Sequence, residues 1–235
     1  MTGQKSIVIV GGTAGIGRHL AQKLANRGDE VVITGRDTAR AQGVAAEIGG
    51  RTRGVGFDLA EPAKIAGRLA DIDIGKVDCL VLTAIERDNN TVREFDVGRA
   101  VHLVTLKLVG YVETVHALAP RLTKDASIIL FGGQARERPY PGSTTVTIVN
   151  GGVSSMVRTL ALELAPIRVN AIHLGIVGDS PALAGKDELK KLGIARSPTK
   201  RLVTMDDSVG AVMFMMENQS VNGVNLVVDA GWAIV

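Results

Sequence analysis

The segment Gly11-Gly12-Thr13-Ala14-Gly15-Ile16-Gly17 constrains this chain more than any other. It follows the apolar run Ile7 to Val10 and precedes the amphipathic run Leu20, Ala21, Leu24 and Ala25, which stops at Asn26-Arg27-Gly28. A strand, a glycine turn and a helix are therefore expected in immediate succession. Glycines let the backbone turn tightly and approach a pyrophosphate, whose charge is stabilised by the free amides and positive end of the helix dipole. Gly11, Thr13, Ala14, Gly15, Ile16 and Gly17 are the candidate phosphate-binding residues. A purely structural glycine turn accounts less well for this context.

Further strand-like runs lie at Val31 to Thr34, Val55 to Phe57, Cys79 to Leu82, Ile128 to Phe131, Val169 to His173 and Leu226 to Val228, with helical patterns between nearly all of them. Strands joined by crossover helices lie parallel, with helices on both faces, so a doubly wound α/β sheet is expected. The 235 residues, 46% hydrophobic, suffice for a full core, and no repeat or linker divides them into domains. Residues 178–192 are the expected mobile substrate loop. The greasiest segment, Val101 to Leu108, is interrupted by Thr105 and Lys107, so no membrane span is expected. The apolar run at Ile7 is also too short for a signal peptide, and the lone Cys79 has no internal disulfide partner. A cytoplasmic setting follows as the expectation. A net charge of +3, scattered basic residues and 3% aromatics argue against nucleic acid.

The second strand ends at Thr34-Gly35-Arg36, where a carboxylate would hydrogen-bond the ribose hydroxyls of NAD. A guanidinium there pairs with a 2′-phosphate, so NADP(H) is the expected cofactor. Asp58 and Leu59 after the third strand, and Thr83 and Ala84 after the fourth, fall where an open α/β sheet holds its ligand.

The glycine segment, Phe57-Asp58-Leu59, Ala161-Leu162-Glu163-Leu164-Ala165 with Ile167-Arg168-Val169-Asn170-Ala171, and Asn222-Gly223 with Val228-Asp229-Ala230-Gly231-Trp232 together resemble the short-chain dehydrogenase/reductases over essentially the whole chain. The resemblance implies a single Rossmann domain with a seven-stranded parallel sheet. It further implies a nicotinamide cofactor across the carboxyl edge, touching Asn150, Gly175 and Val177 among others, and homodimers or homotetramers built partly on two long helices. The family's chemistry rests on an Asn, a Ser and a Tyr-x-x-x-Lys. Here those positions fall on Lys107, on Gly132 or Gly133, and on Val146 and Asn150. The nearest tyrosine, Tyr140, has Thr144 four residues on, not a lysine.

Val146 has no titratable proton and Asn150 no charge, so a substitute acid is expected if redox chemistry is retained. Lys107 is the first candidate, as acid or oxyanion partner, against a structural role in place of the missing Asn. His173 is the second, against an ordinary hydrogen-bonded histidine. The leading reading is an NADP(H)-dependent oxidoreductase with an unusual proton donor, acting on a small molecule of unknown identity. A catalytically silent NADP(H)-binding partner protein and a non-redox enzyme on the same scaffold stay open; no metal site is expected. The helical pattern from Gly98 to Ala119 is apolar on more than one face, so it either lies deep in the domain or meets a partner subunit; on the second reading Leu103, Leu106 and Val109 pack against a symmetry mate. Gly151-Gly152 within a helical pattern suggests close backbone packing.

Overall fold

Parallel strands are buried on both faces and so read as nearly unbroken aliphatic runs, as Ile7 to Val10 and Cys79 to Leu82 do. The computed structural model describes residues 3–72 and 74–234. Its strands are β1 (Ser6–Val10), β2 (Glu30–Gly35), β3 (Arg51–Gly56), β4 (Val77–Leu82), β5 (Leu122–Gly133), β6 (Arg168–Leu174) and β7 (Asn225–Val228). All pair in parallel, in the order β3-β2-β1-β4-β5-β6-β7. The helices are α1 (Gly15–Asn26), α2 (Thr38–Ile48), α3 (Pro62–Ala70), α4 (Val97–Val104), α5 (Gly110–Leu118), α6 (Thr144–Glu163), α7 (Asp187–Arg196) and α8 (Met205–Glu217). This is the doubly wound sheet expected from the sequence.

Alternation along each strand divides the core in two. Val8, Val10, Leu80, Leu82, Ile128 and Leu130 pack with Ile65, Tyr111 and Val157 of α3, α5 and α6. Ile7, Ile9, Cys79, Val81, Ile129 and Phe131 pack with Leu20, Val44 and Val212 of α1, α2 and α8. Strand order reverses between β1 and β4, which opens a crevice at their carboxyl ends.

Two sequence expectations are corrected. The third strand begins at Arg51, not Val55, because at the sheet edge exposed Arg51 and Arg53 replace the aliphatic signal. The helix from Gly98 to Ala119 is not regular. A π-helical turn, Thr105–Val109, separates α4 from α5 and shifts its face. Leu103 and Leu106 are consequently buried within the chain rather than at a subunit contact, whereas Val101, Val109 and Val112 are exposed. Residues 178–192 contain a 3₁₀ turn, Pro181–Leu183, and the start of α7, and a Val177–Val203 bridge lies at the segment's base.

The glycine pair of α6 behaves as half expected: a Cβ on Gly152 would lie 2.8 Å from Leu108, while Gly151 faces open space. Among the described residues, no helix is long and apolar enough to cross a membrane.

Candidate cofactor and catalytic site

β1 delivers the chain to the crevice and the glycine turn reverses it into α1. Gly11 has φ +88°, and a Cβ there would lie 2.7 Å from the Ala84 amide, so the β1 and β4 ends meet only because Gly11 has no side chain. Gly15 has φ +52° and nothing within 4 Å of the same point, which leaves the turn open above the first turn of α1. Ala14, the N-cap, supplies no side-chain acceptor to that turn. Open backbone and an uncapped helix start form an anion cradle. Thr13 packs against Gly35, half-buried Ile16 leans on the second core, and Gly17 sits too close to Gly11 to carry a side chain.

Thr83 and Ala84 close the far wall. The Thr83 hydroxyl donates to Val10 O (3.0 Å) and Gly11 O (3.2 Å), and the Ala84 amide donates to Val10 O (3.1 Å). Asp58 Oδ1 accepts from the Ala60 amide (2.8 Å), shaping the turn after β3, while the Leu59 side chain is buried in the core against Gly110. At the end of β2, Arg36 is 74% exposed and donates to Glu86 Oε1 (2.8 Å); His102 Nε2 donates to Glu86 Oε2 (2.7 Å).

Lys107 is fully buried in the π turn. Its Nζ donates to Ala84 O (3.1 Å) and to Tyr111 Oη (2.7 Å), and lies 4.5 Å from the Tyr111 ring centre. Tyr111 Oη in turn donates toward Leu82 O and Ala84 O (2.9 and 2.8 Å). Burial pushes the Lys107 ammonium down from its ordinary 10.5 to about 7, and Tyr111 well above its ordinary value. Two of the three N–H donors of the ammonium are committed, which leaves one without a hydrogen-bond partner among the protein contacts.

Val146 and Asn150 lie one turn apart on α6. Asn150 is buried, its Oδ1 has no partner among the described residues, and its Nδ2 would be 3.0 Å from a Cβ on Gly133. Gly133 and Asn150 are thus brought together at the carboxyl end of β5. His173 is not brought into this group. Its Nε2 donates to Asn225 Oδ1 (2.8 Å) with Ser154 Oγ at 3.3 Å, its ring presses on Gly132, and burial lowers its pKa. These contacts hold its Nε2 away from the crevice group, while its Nδ1 is buried without a partner among the described residues. Gly175 packs on Asp229, where a Cβ on the glycine would lie 2.8 Å from Asp229 Cβ, and Val177 is buried beside Val203.

Sequence reasoning missed Tyr111, Gln134, Glu86 and His102. Gln134 is buried, donates to Asp229 Oδ2 (3.2 Å) and leaves its Oε1 unpartnered. The i, i+4 spacing of Lys107 and Tyr111 was visible; the other partners lie far apart in sequence.

The site fits a dinucleotide on the chain's own features: an open glycine turn, an uncapped helix, a basic group at the β2 end and a buried unpartnered Asn150 Oδ1. Comparison with known proteins agrees. Residues 11–233 match the family model described as enoyl-(acyl carrier protein) reductase. The 3-oxoacyl-[acyl-carrier-protein] reductase of Bos taurus is 30% identical over 234 residues, covering 97% of each chain. A solved short chain dehydrogenase/reductase family protein superposes with a TM-score of 0.88 at 27% identity, covering 100% of both chains. A small-chain dehydrogenase solved in complex with NADPH superposes at 0.84 with 24% identity, covering 99% of this chain and 100% of that one. The glycine turn between β1 and α1, the strand order and these whole-length matches place the chain in the short-chain dehydrogenase/reductase superfamily of nicotinamide-dependent oxidoreductases.

Proposed function

We propose that the chain is an NADP(H)-dependent oxidoreductase that takes its proton from Lys107 instead of a Tyr–Lys pair. The carrying observation is Lys107 itself: a buried ammonium beside the Ala84 carbonyl, held near neutrality by desolvation alone. A bound nicotinamide supplies or accepts the hydride. The glycine turn and α1 hold the pyrophosphate, Arg36 the 2′-phosphate, and Asn150 Oδ1 accepts a ribose hydroxyl. Val146, where the family carries Tyr, leaves an apolar wall that excludes water and donates nothing. Gly133, in place of the family's Ser, leaves room for Asn150.

Lys107 Nζ holds its proton through two hydrogen bonds and has one further N–H to offer toward the crevice. A pKa near the working pH suits it to both donating and recovering a proton. With a single buried acid and no tyrosinate, the favoured acceptor that uses Lys107 is an activated alkene: hydride adds to the β-carbon and the resulting enolate takes one proton from Nζ, whereas an iminium becomes a neutral amine on hydride addition and needs no proton donor. Residues 178–192 with α7 form the expected cover of the substrate, in a cytoplasmic homo-oligomer.

Single-turnover oxidation of NADPH against iminium, enone and ketone panels tests this. Lys107→Met should lower enone turnover by about 10²-fold or more while NADPH affinity changes little, and should leave iminium turnover largely unaffected. The second reading, a silent NADP(H) binder, is favoured by Val146 and Asn150. It takes the lead if the wild type binds NADPH but oxidises it with no acceptor.

A further inference from the structure

Arg36 is the group at the β2 end that a 2′-phosphate would engage, yet its guanidinium already holds a carboxylate. Glu86, three residues past Thr83, donates nothing and accepts on both oxygens: Oε1 from Arg36 at 2.8 Å, Oε2 from His102 of α4 at 2.7 Å. It is also less exposed than Arg36, 29% against 74%, so the carboxylate is fixed from the α4 side while the arginine is free to move. Nearby Arg99 is committed to Asp88 and so does not relieve Glu86.

From this geometry we infer that Glu86 sets the cofactor choice of the site: it competes with the 2′-phosphate for Arg36 and, once displaced, stays on His102. The inference rests on the reading of Arg36 as the 2′-phosphate ligand. A phosphate seated on Arg36 would face a fixed negative charge a few ångström away, which two unit charges feel even in water. An exposed arginine–carboxylate pair is weak enough to be broken by the stronger phosphate pair. NADH meets no such conflict, because a ribose hydroxyl can donate to Glu86 while Arg36 keeps its partner. The carboxylate absent from the β2 end is thus supplied from the loop after β4, and the site should accept both cofactors with only a modest preference.

The test is calorimetric titration of wild type, Glu86→Gln, Glu86→Ser and Arg36→Met with NADPH, NADH and the fragment adenosine 2′,5′-bisphosphate, at low salt. Removing the carboxylate should raise the NADPH-over-NADH affinity ratio about fivefold to tenfold, and tighten the bisphosphate by a similar factor, with NADH affinity unchanged or weaker. The gain should shrink as salt is raised. A ratio that stays at the wild-type value, or falls, in both Glu86 variants while Arg36→Met collapses it overturns the role of Glu86 and leaves Arg36 standing. A ratio indifferent to Arg36→Met, or a wild type that binds neither dinucleotide, removes the cofactor reading and this inference together.

Discussion

Lys107 is a cation without a carboxylate partner in the interior, and its cost to the fold has a definite sign. Its pKa of about 7 lies below the ordinary 10.5 that the unfolded chain restores. Below pH 7 both states hold the proton, so the burial penalty is fully felt. Above it the folded lysine sheds the proton and the unfolded one keeps it, so stability rises with pH. Cys79, raised by burial from 9.0 to about 12, acts oppositely above pH 9, when the unfolded thiol ionises first. Between pH 7 and 8.5 the lysine therefore acts without that opposition, and denaturant unfolding should show its contribution rising by about 2 kcal/mol. Lys107→Met should flatten that rise; an identical pH dependence in the variant would mean the ammonium is not depressed. Lys107 and Arg36 were legible in the sequence because each replaces an expected residue at a countable position. Glu86 and His102 were not: the partner of Arg36 lies 50 residues away, and nothing local marks the pair.

At the scale of elements, the strands were legible because a parallel strand covered on both faces carries an aliphatic run, and the glycine turn because its conformation needs glycine. The π turn was not, since no periodicity announces one added residue in a helix, and Lys107 lies within it, four residues before Tyr111. Another long-range device joins β6 to α8. Arg168, buried at the start of β6, donates from Nη1 to Met215 O (2.7 Å) and Val221 O (3.1 Å), and from Nη2 to Met216 O (3.0 Å). A guanidinium thereby caps the last carbonyls of α8, where the helix dipole favours a cation. Arg168→Met keeps the apolar stem but removes the guanidinium donor from Met216 O and leaves Met215 O and Val221 O only their bonds from Ser127 Oγ (3.4 Å) and Asn170 Nδ2 (2.9 Å). It should cost about 2–4 kcal/mol in chemical unfolding, with NADPH binding by the folded fraction retained. A loss below about 0.5 kcal/mol would show that water replaces the guanidinium.

The whole molecule carries an apolar surface that its own core does not use. Val101, Val109 and Val112 on α4 and α5 are 58%, 49% and 42% exposed, and Ile148 and Leu162 on α6 are 53% and 80% exposed. A groove of about 470 Å³ runs between α3, α5 and α6, lined by Pro62, Ala63, Leu108, Val109, Val112 and Met156 with Glu113 at its side. The sequence indicated that this helix pair was too apolar for a monomer surface, but the π turn moved the exposed set from Leu103 and Leu106 to Val101 and Val112. Exposed apolar side chains on one set of helices are stable in water when a second copy covers them, and helices presented by identical chains make an isologous contact. Light scattering at micromolar concentration should therefore report a dimer or tetramer. Val112→Glu places a second carboxylate beside Glu113 in that groove, and should shift the protein to monomer while the isolated fold, judged by circular dichroism, is unchanged. Leu103→Ala, by contrast, should lower stability by about 2–4 kcal/mol without changing the assembly, since Leu103 belongs to the interior. A wild type that stays monomeric, or a Val112→Glu variant that stays assembled, would mean that copies of this chain do not meet on α4, α5 and α6.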